Sequence, residues 1–392
     1  MTGRRIKVAH VTTVAMGQKY LVLNQMKALR SAGYDVVGIS APGPEISALD
    51  EAGIRHIPIP FNRKSFTPVA DLWSLLWLCK TLAAERPTIV HTHNPKPTLY
   101  AQMAARIVGV PIVVNTLHGY VFQDRTHPKL RRAFIAIERL AARWADAILS
   151  VNSEDVRTAI IEKIAGPEKI VHLGGGIDLA RFTPGTFGPD DLAGFKASVG
   201  IREGSLVVGF IGRLVREKGL LELLGAAKIV LQERPETQFV IIGSPDVQKK
   251  DSLTFQIAKE YGISKSCLFL GHRDDTPKLY SCMDLLVLPS HREGLPLVPM
   301  EACAMGIPCI VTDIRGCREV ITDQVNGLVV PRADIKALAQ AIRRILENAD
   351  ERALFGRRAR EVAVERFDEK KVIGKIISTY ERLLSLSSRD IA

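Results

Sequence analysis

The sequence predicts an α/β protein made of two doubly wound parallel sheets. Apolar runs of strand length recur along the chain, as at residues 6–12 and 284–289, and helix-length stretches separate them. Uninterrupted apolar runs are typical of strands that are buried on both faces of a parallel sheet. Because this rhythm starts again in the second half of a 392-residue chain, we expect two domains.

The first half alternates strands and helices up to a glycine-rich stretch at 174–185, which favours a linker. We therefore predict a first domain at 1–180. Its predicted strands are 6–12, 35–40, 88–94, 111–118, 145–152 and 169–173, and its clearest predicted helices are 20–32 and 97–108.

The second half repeats the pattern and predicts a second domain at 186–368. Its predicted strands are 206–211, 237–243, 266–270, 284–289, 308–311 and 327–330, with a helix at 220–232. A last helix at about 371–392 carries an apolar stripe that could pack on either domain. Since ligands bind at the carboxyl ends of parallel strands, we expect one cleft between the two domains.

The charge of the chain is strongly basic. The net charge is +11, and residues 1–180 carry 22 Lys and Arg against 14 Asp and Glu. Such an excess suits nucleic acid, an anionic membrane surface or a phosphorylated substrate. A nucleic-acid protein would interleave basic residues with stacking aromatics, whereas only 6% of the residues are aromatic. No nucleic-acid partner is expected.

Targeting signals and cysteine pairs are also not found in the sequence. No apolar run reaches the roughly 18 residues of a membrane span, and the N-terminus lacks the apolar region of a signal peptide. The six cysteines contain no C-x-x-C pair. We expect a cytoplasmic protein with reduced cysteines and neither a disulfide nor zinc.

The stretch 290–306 places two carboxylates, Glu293 and Glu301, after a predicted buried strand. Pro296 fits the first turn of a helix that Gly306 ends. A helix N-terminus binds phosphate, and Glu301 leans back toward it, where the diol of a ribose would lie. Glu293 suits the hydroxyls of a sugar beyond the phosphates. The pair indicates a nucleotide-sugar site, although an exposed loop Glu and a surface helix Glu would look the same.

A second loop, 212–219, places Arg213 and Lys218 between a predicted strand and a predicted helix. Two cations there would neutralise a diphosphate leaving group, and the alternative is a solvated basic loop. The chain has no D-x-D motif, and a metal held against phosphates usually needs closely spaced carboxylates. We therefore expect no metal cofactor.

Three histidines lie on or after predicted strands of the first half. His118 could bond a sugar hydroxyl or stabilise developing charge, although a histidine at a strand end is more often only structural. His91 and His93 point the same way from one strand. Because no third ligand is apparent near them, a metal site is not expected.

A basic amphipathic helix is predicted within residues 125–143, which hold six basic residues and one acidic residue. This composition is typical of a membrane-surface helix, and the alternative is an ordinary solvated face. Trp73 and Trp77 could anchor at a membrane interface, but core packing is the more usual fate of such a stripe. Together these features give the hypothesis of peripheral contact with the anionic inner face of the plasma membrane.

The motifs carry a resemblance to a known family. Gly212-Arg213 with Lys218-Gly219, Glu293-Gly-Leu-Pro with Glu301, and Gly306-Ile-Pro308 are similar to the pattern of retaining glycosyltransferases of family 4, which have the GT-B fold. The motifs at 91–96, 116–119 and 174–178 resemble the branch that builds capsule, O-antigen and exopolysaccharide on lipid-linked acceptors.

This resemblance implies a retaining enzyme that moves a sugar from a nucleotide-diphosphate donor, with UDP favoured, to a hydroxyl of a polyprenyl-linked saccharide. It implies that the first domain binds the acceptor and the second the donor, and that the final helix crosses back to the first domain. An alternative function on the same architecture is a sugar-nucleotide epimerase or hydrolase, which would need no acceptor.

The resemblance also implies roles for individual residues. Arg213 and Lys218 would hold the donor diphosphate, Glu301 the ribose, and Glu293 with the backbone of 294–297 the sugar and distal phosphate. The implied donor-binding residues are Gly212, Arg213, Lys218, Gly243, Arg273, Glu293, Gly294, Leu295, Pro296, Leu297 and Glu301. The implied catalytic residues are His118, Arg213, Lys218 and Glu293. Gly17 and His118 would face the acceptor, and Gly17 stands where many members carry a glycine pair.

Overall fold

The computed structural model describes residues 5–61, 67–93, 95–122, 126–246 and 249–389. The chain divides into two compact units, here called the first unit (Met1–Gly174 with Lys370–Ala392) and the second unit (Gly175–Glu369). Each unit contains one sheet, and all the strand pairs in both sheets are parallel. The predicted fold class, with two doubly wound parallel sheets, is confirmed.

The first unit contains a seven-stranded sheet. Its strands are β1 (Lys7–Val14), β2 (Asp35–Ala41), β3 (Arg55–Pro58), β4 (Ile89–His93), β5 (Ile112–Leu117), β6 (Ala147–Ser150) and β7 (Ile170–His172). In space the order is β3-β2-β1-β4-β5-β6-β7. Successive residues of β1, Val8 and Ala9, are fully buried in two different core clusters. Both faces of the sheet are therefore covered, which explains the uninterrupted apolar runs.

The helices of the first unit connect these strands. They are α1 (Ala15–Gly17), α2 (Leu23–Ser31), α3 (Ser47–Glu51), α4 (Pro68–Glu85), α5 (Pro95–Ile107), α6 (Pro128–Trp144) and α7 (Ser153–Ile161), with a π-helical turn at Gln18–Val22 and a 3-10 turn at Pro44–Ile46.

The second unit contains a six-stranded sheet in the order β10-β9-β8-β11-β12-β13, where the strands are β8 (Val207–Ile211), β9 (Gln238–Ile242), β10 (Cys267–Gly271), β11 (Leu285–Leu288), β12 (Cys309–Thr312) and β13 (Gly327–Val330). Its helices are α8 (Pro189–Val199), α9 (Leu220–Glu233), α10 (Ile257–Glu260), α11 (Thr276–Tyr280), α12 (Leu297–Ala304), α13 (Arg315–Val320), α14 (Ile335–Glu347) and α15 (Ala349–Arg366), with 3-10 turns at Arg216–Lys218 and Ser264–Ser266.

The two sheets have the same crossover. In the first unit the chain runs from β1 to β3 on one side, then returns so that β4 lies beside β1. In the second unit β11 lies beside β8 in the same way. We call each of these places a switch point. In doubly wound sheets ligands bind at the carboxyl ends of the strands at this point.

The last helix, α16 (Glu369–Arg389), packs in the first unit. Ile376, Tyr380 and Leu383 are buried in the same core cluster as Val8. The hydroxyl of Tyr380 is hydrogen-bonded to Nδ1 of His91 at 2.5 Å. The apolar stripe of this helix predicted a packed face, and the tertiary structure shows which core receives it. No helix in the described ranges combines the length and apolarity needed to cross a membrane.

One local prediction was wrong. The helix predicted from residue 20 begins at Leu23, because the π-helical turn precedes it. The buried amide of Gln18 in that turn donates to the carbonyl oxygens of His10 and Ile39, at 3.1 and 3.0 Å, which joins the turn to β1 and β2.

Of the two alternatives for Trp73 and Trp77, core packing does not fit the structure. These side chains on α4 are 60% and 44% exposed. The buried face of α4 is formed instead by Ser74, Leu78 and Leu82, with the Asp71 carboxylate.

Candidate active site

The loops after β8 and β11 meet at the switch point of the second unit. Gly219 closes the first loop with φ +75, and a Cβ atom there would lie 2.0 Å from the carbonyl oxygen of Pro289, which begins the second loop. Only glycine permits this approach, because it has no Cβ and adopts positive φ freely. The two loops that hold most of the predicted site residues are therefore in contact.

Lys218 and Glu293 form an ion pair between these loops. The Lys218 Nζ is 2.6 Å from Glu293 Oε1, and the side chains are only 20% and 10% exposed. The hydroxyl of Ser290 donates to the same Oε1 at 2.7 Å. Such partners compensate a carboxylate for the water that it loses. The structure thus brings together two predicted residues that are 75 positions apart in the sequence.

Arg213 lies in the loop after β8 and pairs with Asp246, with Nη1 and Oδ2 2.7 Å apart. This bond uses one of the five N–H donors of the guanidinium. Gly243, another predicted residue, has φ +137, and a Cβ atom there would lie 1.9 Å from the carbonyl oxygen of Gly212. Gly212 donates its backbone N–H to Ile242 at 2.9 Å. Gly243 therefore lets the loop after β9 lie directly against the backbone beside Arg213.

Glu301 lies on α12 and is partly buried. Its Oε2 accepts a hydrogen bond of 2.8 Å from the hydroxyl of Tyr280, which also donates to the carbonyl oxygen of Val298 at 3.1 Å. Burial raises the pKa of Glu301 to about 7, while the Tyr280 bond and the charge of Arg181 act in the opposite direction. The carboxyl group is thus held beside the first turn of its own helix, as the sequence predicted.

The start of α12 differs slightly from the prediction. Pro296 is the N-cap residue in an extended conformation, and the helix begins at Leu297. Leu295 lies against Gly175, where a Cβ atom would come within 2.5 Å of its Cδ2. Gly316 approaches the carbonyl oxygen of Gly294 closely, since a Cβ atom there would lie 2.6 Å from that oxygen. The backbone of the predicted phosphate-binding segment is therefore fixed by contacts on two sides.

Arg273 follows β10, at the edge of the sheet. Its guanidinium forms a fork on Asp275, with Nε–Oδ1 and Nη2–Oδ2 distances of 2.8 and 2.5 Å. Among the described residues, no hydrogen bond or ion pair joins Arg273 to another predicted site residue. Its assignment to donor binding stays a prediction.

Four histidines cluster at the switch point of the first unit. His10 on β1 and His91 and His93 on β4 are completely buried, and His118 follows β5. Burial lowers the pKa of His10 to about 3 and that of His118 to about 4, and it holds the pKa values of His91 and His93 well below the usual range. The expectation that His91 and His93 have no third nitrogen ligand near them was wrong, because His10 contacts both rings.

Gly17 lies in α1, the short helix directly after β1. A Cβ atom there would lie 3.1 Å from Cβ of Thr12, a distance that forces the neighbour to move. Gly17 therefore lies at the switch point of the first unit, on the same sheet edge as the histidines. Its contact with an acceptor stays a prediction.

Sequence reasoning missed four residues that the structure adds to these sites. Ser290 and Tyr280 bind the two predicted glutamates, Asp246 binds Arg213, and His10 completes the histidine cluster. Ser290 could have been noticed because it lies three positions before Glu293. The other three are distant in sequence from their partners, so no local pattern indicates them.

Two family models match the chain. The one described as "Glycosyl transferase 4-like domain" matches residues 17–176, and the one described as "Glycosyl transferases group 1" matches residues 194–362.

Curated relatives match along almost the whole chain. A UDP-Gal:alpha-D-GlcNAc-diphosphoundecaprenol alpha-1,3-galactosyltransferase of Escherichia coli is 30% identical over 97% of each chain. A capsular polysaccharide biosynthesis glycosyltransferase, CapM of Staphylococcus aureus, is 26% identical over 97% of this chain and 98% of its own. Both are transferases, so they give no support to the epimerase or hydrolase alternative.

Solved structures agree on the fold. Alr3699/HepE of Anabaena, crystallised with UDP and glucose, superimposes with a TM-score of 0.81 over 96% of this chain and all of its own, at 22% identity. The two parallel sheets, the paired family models and the full-length relatives lead to one conclusion. The chain belongs to glycosyltransferase family 4 and is a hexosyltransferase of the GT-B fold.

Proposed function

We propose that this glycosyltransferase moves a hexose from a UDP donor to a hydroxyl of a polyprenyl-diphosphate-linked saccharide during surface polysaccharide assembly. The main structural support is the hydrogen-bonded group of Lys218, Glu293 and Ser290 at the switch point of the second unit. The names of the E. coli and S. aureus relatives support the lipid-linked acceptor and the polysaccharide pathway. The UDP complex of the Anabaena protein supports the nucleotide.

The ion pair suggests how the donor is received. Among the described residues, Lys218 and Ser290 both bond Oε1 of Glu293, which leaves Oε2 to accept from a sugar hydroxyl. Lys218 can turn one of its three N–H groups to the distal phosphate without leaving Glu293. A cation fixed in this way stabilises the charge that grows on the diphosphate as the bond to the sugar breaks.

The nucleoside end of the donor would lie at α12. The Tyr280 bond occupies Oε2 of Glu301, so Oε1 can accept from the hydroxyls of a ribose. Arg213 would share the diphosphate through the donors that Asp246 does not use. The first backbone N–H groups of α12 would face the phosphates, as helix N-termini commonly do.

We propose that transfer proceeds with retention and without a protein base. The bond between the sugar carbon and the diphosphate oxygen breaks, and the acceptor oxygen forms its bond on the same face. The acceptor proton passes to the departing diphosphate, so charge and atoms balance with no further reactant. Lys218 and Arg213 favour this path because they stabilise the additional negative charge that develops on the diphosphate as its bond to the sugar breaks.

We also propose that turnover needs no metal ion. The chain has no D-x-D motif, and two cationic side chains lie in the loop where a metal would otherwise balance the phosphates. Activity in the presence of excess EDTA should equal activity in Mg²⁺ or Mn²⁺. A loss of activity with EDTA that either ion restores would contradict this proposal.

The main test offers a panel of UDP-sugars together with a bacterial polyprenol-linked lipid fraction, and measures the release of UDP. We expect release with one or a few sugars, only when the lipid fraction is present, and a labelled sugar in the lipid product. Release without acceptor would indicate a hydrolase, and conversion of the sugar without release would indicate an epimerase. The Lys218→Ala variant supplies the inactive control.

We propose in addition that the first unit docks on the anionic inner face of the plasma membrane. The outer face of α4 carries an apolar stripe, here called the α4 stripe, whose members recur at helical spacing and are each at least 44% exposed. These members are Val69, Leu72, Trp73, Leu76 and Trp77. Tryptophan at a water-exposed apolar surface is typical of membrane interfaces.

Helix α6 adds positive charge to the surface of the first unit. Helix α5 packs against both α4 and α6, so α6 belongs to the same layer. Exposed Lys129, Arg132 and Arg143 accompany the exposed apolar Leu130 and Leu140 on α6. Each cation near anionic lipid contributes about 1 kcal/mol of binding free energy. Arg125, which the sequence analysis grouped with this helix, lies outside the described residues.

Sedimentation with lipid vesicles tests this surface. We expect binding to vesicles that contain anionic phospholipid, weaker binding to neutral vesicles, and loss of binding at high salt. The double variant Trp73→Ala with Trp77→Ala should bind at least about tenfold more weakly. Phe255→Ala is the matched control, since Phe255 is also 45% exposed but lies in the second unit. Equal binding of the double variant and wild type would overturn the proposed surface.

A further inference from the structure

Three histidines of the first unit form a hydrogen-bonded chain that ends at His118. His118 Nε2 lies 3.2 Å from His93 Nδ1, and His93 Nε2 lies 3.1 Å from His10 Nδ1. The ring centroids are 5.5 and 5.4 Å apart, as expected for rings that join edge to edge through their nitrogens. The last nitrogen, His10 Nε2, is buried and has no hydrogen-bond partner among the described residues.

The strands fix the rings in this arrangement. His10 on β1 is in register with His91 on β4, and His91 stacks on His93 with 4.3 Å between centroids. Both nitrogens of His91 are already bonded, Nδ1 to the Tyr380 hydroxyl at 2.5 Å and Nε2 to the Thr116 hydroxyl at 2.7 Å. His91 therefore supports the chain without being a member of it.

Only two arrangements of the ring protons are compatible with the hydrogen bonds between the three histidines. Burial lowers the pKa of His10 to about 3 and of His118 to about 4, and keeps that of His93 well below its usual range. At neutral pH each ring is thus uncharged and carries one N–H group. Each nitrogen–nitrogen contact needs one hydrogen, so either all three rings are protonated at Nδ1 or all three at Nε2.

The buried end of the chain decides between these two arrangements. Protonation at Nε2 would leave the N–H of His10 buried without an acceptor, and such orphaned N–H groups are rare and costly. Protonation at Nδ1 leaves only a lone pair there. We propose that His10 and His93 are positioning residues that fix His118 as its Nδ1–H tautomer, so that His118 donates a hydrogen bond and cannot accept a proton.

The consequence for turnover rests on the proposed function. With Nε2 occupied by the His93 N–H, His118 can offer only its Nδ1–H to a ligand, and the matching ligand atom is an oxygen with a lone pair. A sugar hydroxyl oxygen or the ring oxygen fits this description. A general-base role for His118 is excluded by the same geometry, which agrees with a reaction in which the departing diphosphate takes the proton.

A metal ion would be a competing explanation of the cluster. Nitrogens of His10, His91 and His93 lie within 4.8 Å of one another. However, Nδ1 of His10 and Nε2 of His93 face each other at hydrogen-bonding distance, and both nitrogens of His91 are bonded to hydroxyl groups. An ion would have to replace these bonds, because each ligand nitrogen must direct its lone pair at the metal. The geometry favours the hydrogen-bonded chain.

Nitrogen-15 spectra of histidine-labelled protein test the tautomer directly. Long-range proton–nitrogen correlations distinguish a protonated Nδ1 from a protonated Nε2, and the His118→Gln variant identifies the His118 signals among the nine histidines. We expect His118 to be protonated at Nδ1 in the wild-type protein. A protonated Nε2 would overturn the proposal, as would one tightly bound metal ion per purified chain that is lost in His10→Asn.

A matched pair of variants tests the control exerted by His10. In His10→Asn the amide nitrogen can stand where Nδ1 stood and donate to His93, so His118 should stay protonated at Nδ1. In His10→Met only the uncharged, weakly accepting thioether sulfur is present, so the chain should reverse and His118 should become protonated at Nε2. An unchanged tautomer in His10→Met would overturn the relay. If His10→Met does not fold, the spectrum of the wild-type protein still tests the proposed tautomer.

Activity measurements separate this inference from the proposed function. In His10→Met we expect kcat to fall roughly tenfold or more, because one hydrogen-bond donor to the ligand is lost, while the KM of the donor changes less than about threefold and His10→Asn stays near wild type. If no nucleotide sugar is a substrate, the proposed function fails, but the tautomer result still stands. If the tautomer reverses without a change in kcat, the contact of His118 with the sugar fails.

Discussion

The two switch points of this protein have the same topology and opposite chemistry. In the second unit the crossover between β8 and β11 holds a charged pair, Lys218 and Glu293, which keeps some access to water. In the first unit the crossover between β1 and β4 holds His10, His91 and His93, all completely buried.

The difference shows how a sheet edge can hold polar groups in two ways. A buried carboxylate stays charged only if a cation and donors accompany it, and the second unit supplies both from neighbouring loops. Imidazole can instead become neutral, because burial lowers its pKa, and neutral rings can bond one another. The switch point of the second unit is thus suited to an anion, and that of the first unit to an uncharged hydroxyl group.

The largest expected effect comes from removing the cation of the charged pair. Lys218→Ala should lower kcat by about 100-fold or more, since the diphosphate then departs without its fixed cation. Arg213→Ala should act in the same direction. Steady-state UDP release measures both. Lys228→Ala is the control, because Lys228 is exposed on α9, and a loss below about threefold in Lys218→Ala would contradict the assignment.

The neutral histidines predict a stability that depends on pH. The folded pKa values of His10, His91 and His93 lie below the unfolded value of about 6.5, so below that pH the unfolded state binds more protons. Stability should be complete above pH 6.5 and be lost as pH falls. For His10, whose pKa is about 3, the loss at pH 5 is about 2 kcal/mol, and His91 and His93 add to it in the same direction.

Urea unfolding at pH 7.5 and pH 5, followed by tryptophan fluorescence, measures this loss for the first unit, which contains all three tryptophans. His10→Asn should reduce the difference between the two pH values by about 2 kcal/mol. A variant at the exposed His272 should leave the difference unchanged. Equal pH dependence in the His10 and His272 variants would show that the cluster is not buried in its neutral form.

A third prediction concerns Glu301 of the second unit, whose pKa, like those of the histidines, is shifted by burial. The pKa of Glu301 is raised to about 7, and only the ionised form accepts two ribose hydroxyls. Binding of a nucleotide sugar, whose diphosphate does not titrate near neutrality, should therefore weaken as pH falls through 7. Calorimetry from pH 6 to pH 8.5 measures this.

Glu301→Gln should weaken donor binding about tenfold at pH 8 and remove the pH dependence. Tyr280→Phe is the companion variant, because it keeps the carboxylate but removes the hydroxyl that bonds Oε2. Its effect should be smaller than that of Glu301→Gln. A pH dependence that survives in Glu301→Gln would assign the titration to another group.

The smallest expected effect concerns the helix that completes the first switch point. Tyr380→Phe removes the hydroxyl bonded to His91 Nδ1 and should lower the free energy of unfolding of the first unit by about 1 kcal/mol. Tyr34→Phe is the control, since this ring packs edge-on against Tyr380 and no described residue bonds its hydroxyl. Equal losses in the two variants would show that the His91 bond contributes nothing.

The charged site was largely predictable because its parts are local patterns. Strand-length apolar runs located β8 and β11, and the loops after them contain the predicted Lys218 and Glu293. The partners Asp246 and Tyr280 were not predictable, since they come from the loop after β9 and from α11. The histidine chain was missed for the same reason, because its links join residues 83 and 25 positions apart.

The sequence by itself determined the two sheets, the basic and acidic loops after their strands, and the family, since each depends on neighbouring residues along the chain. The tertiary structure decided which groups touch. It paired Lys218 with Glu293, exposed the tryptophans of α4 and brought His10 to His93. Strand order and register set these contacts, and no local pattern records them, because strand pairing joins residues that are far apart along the chain.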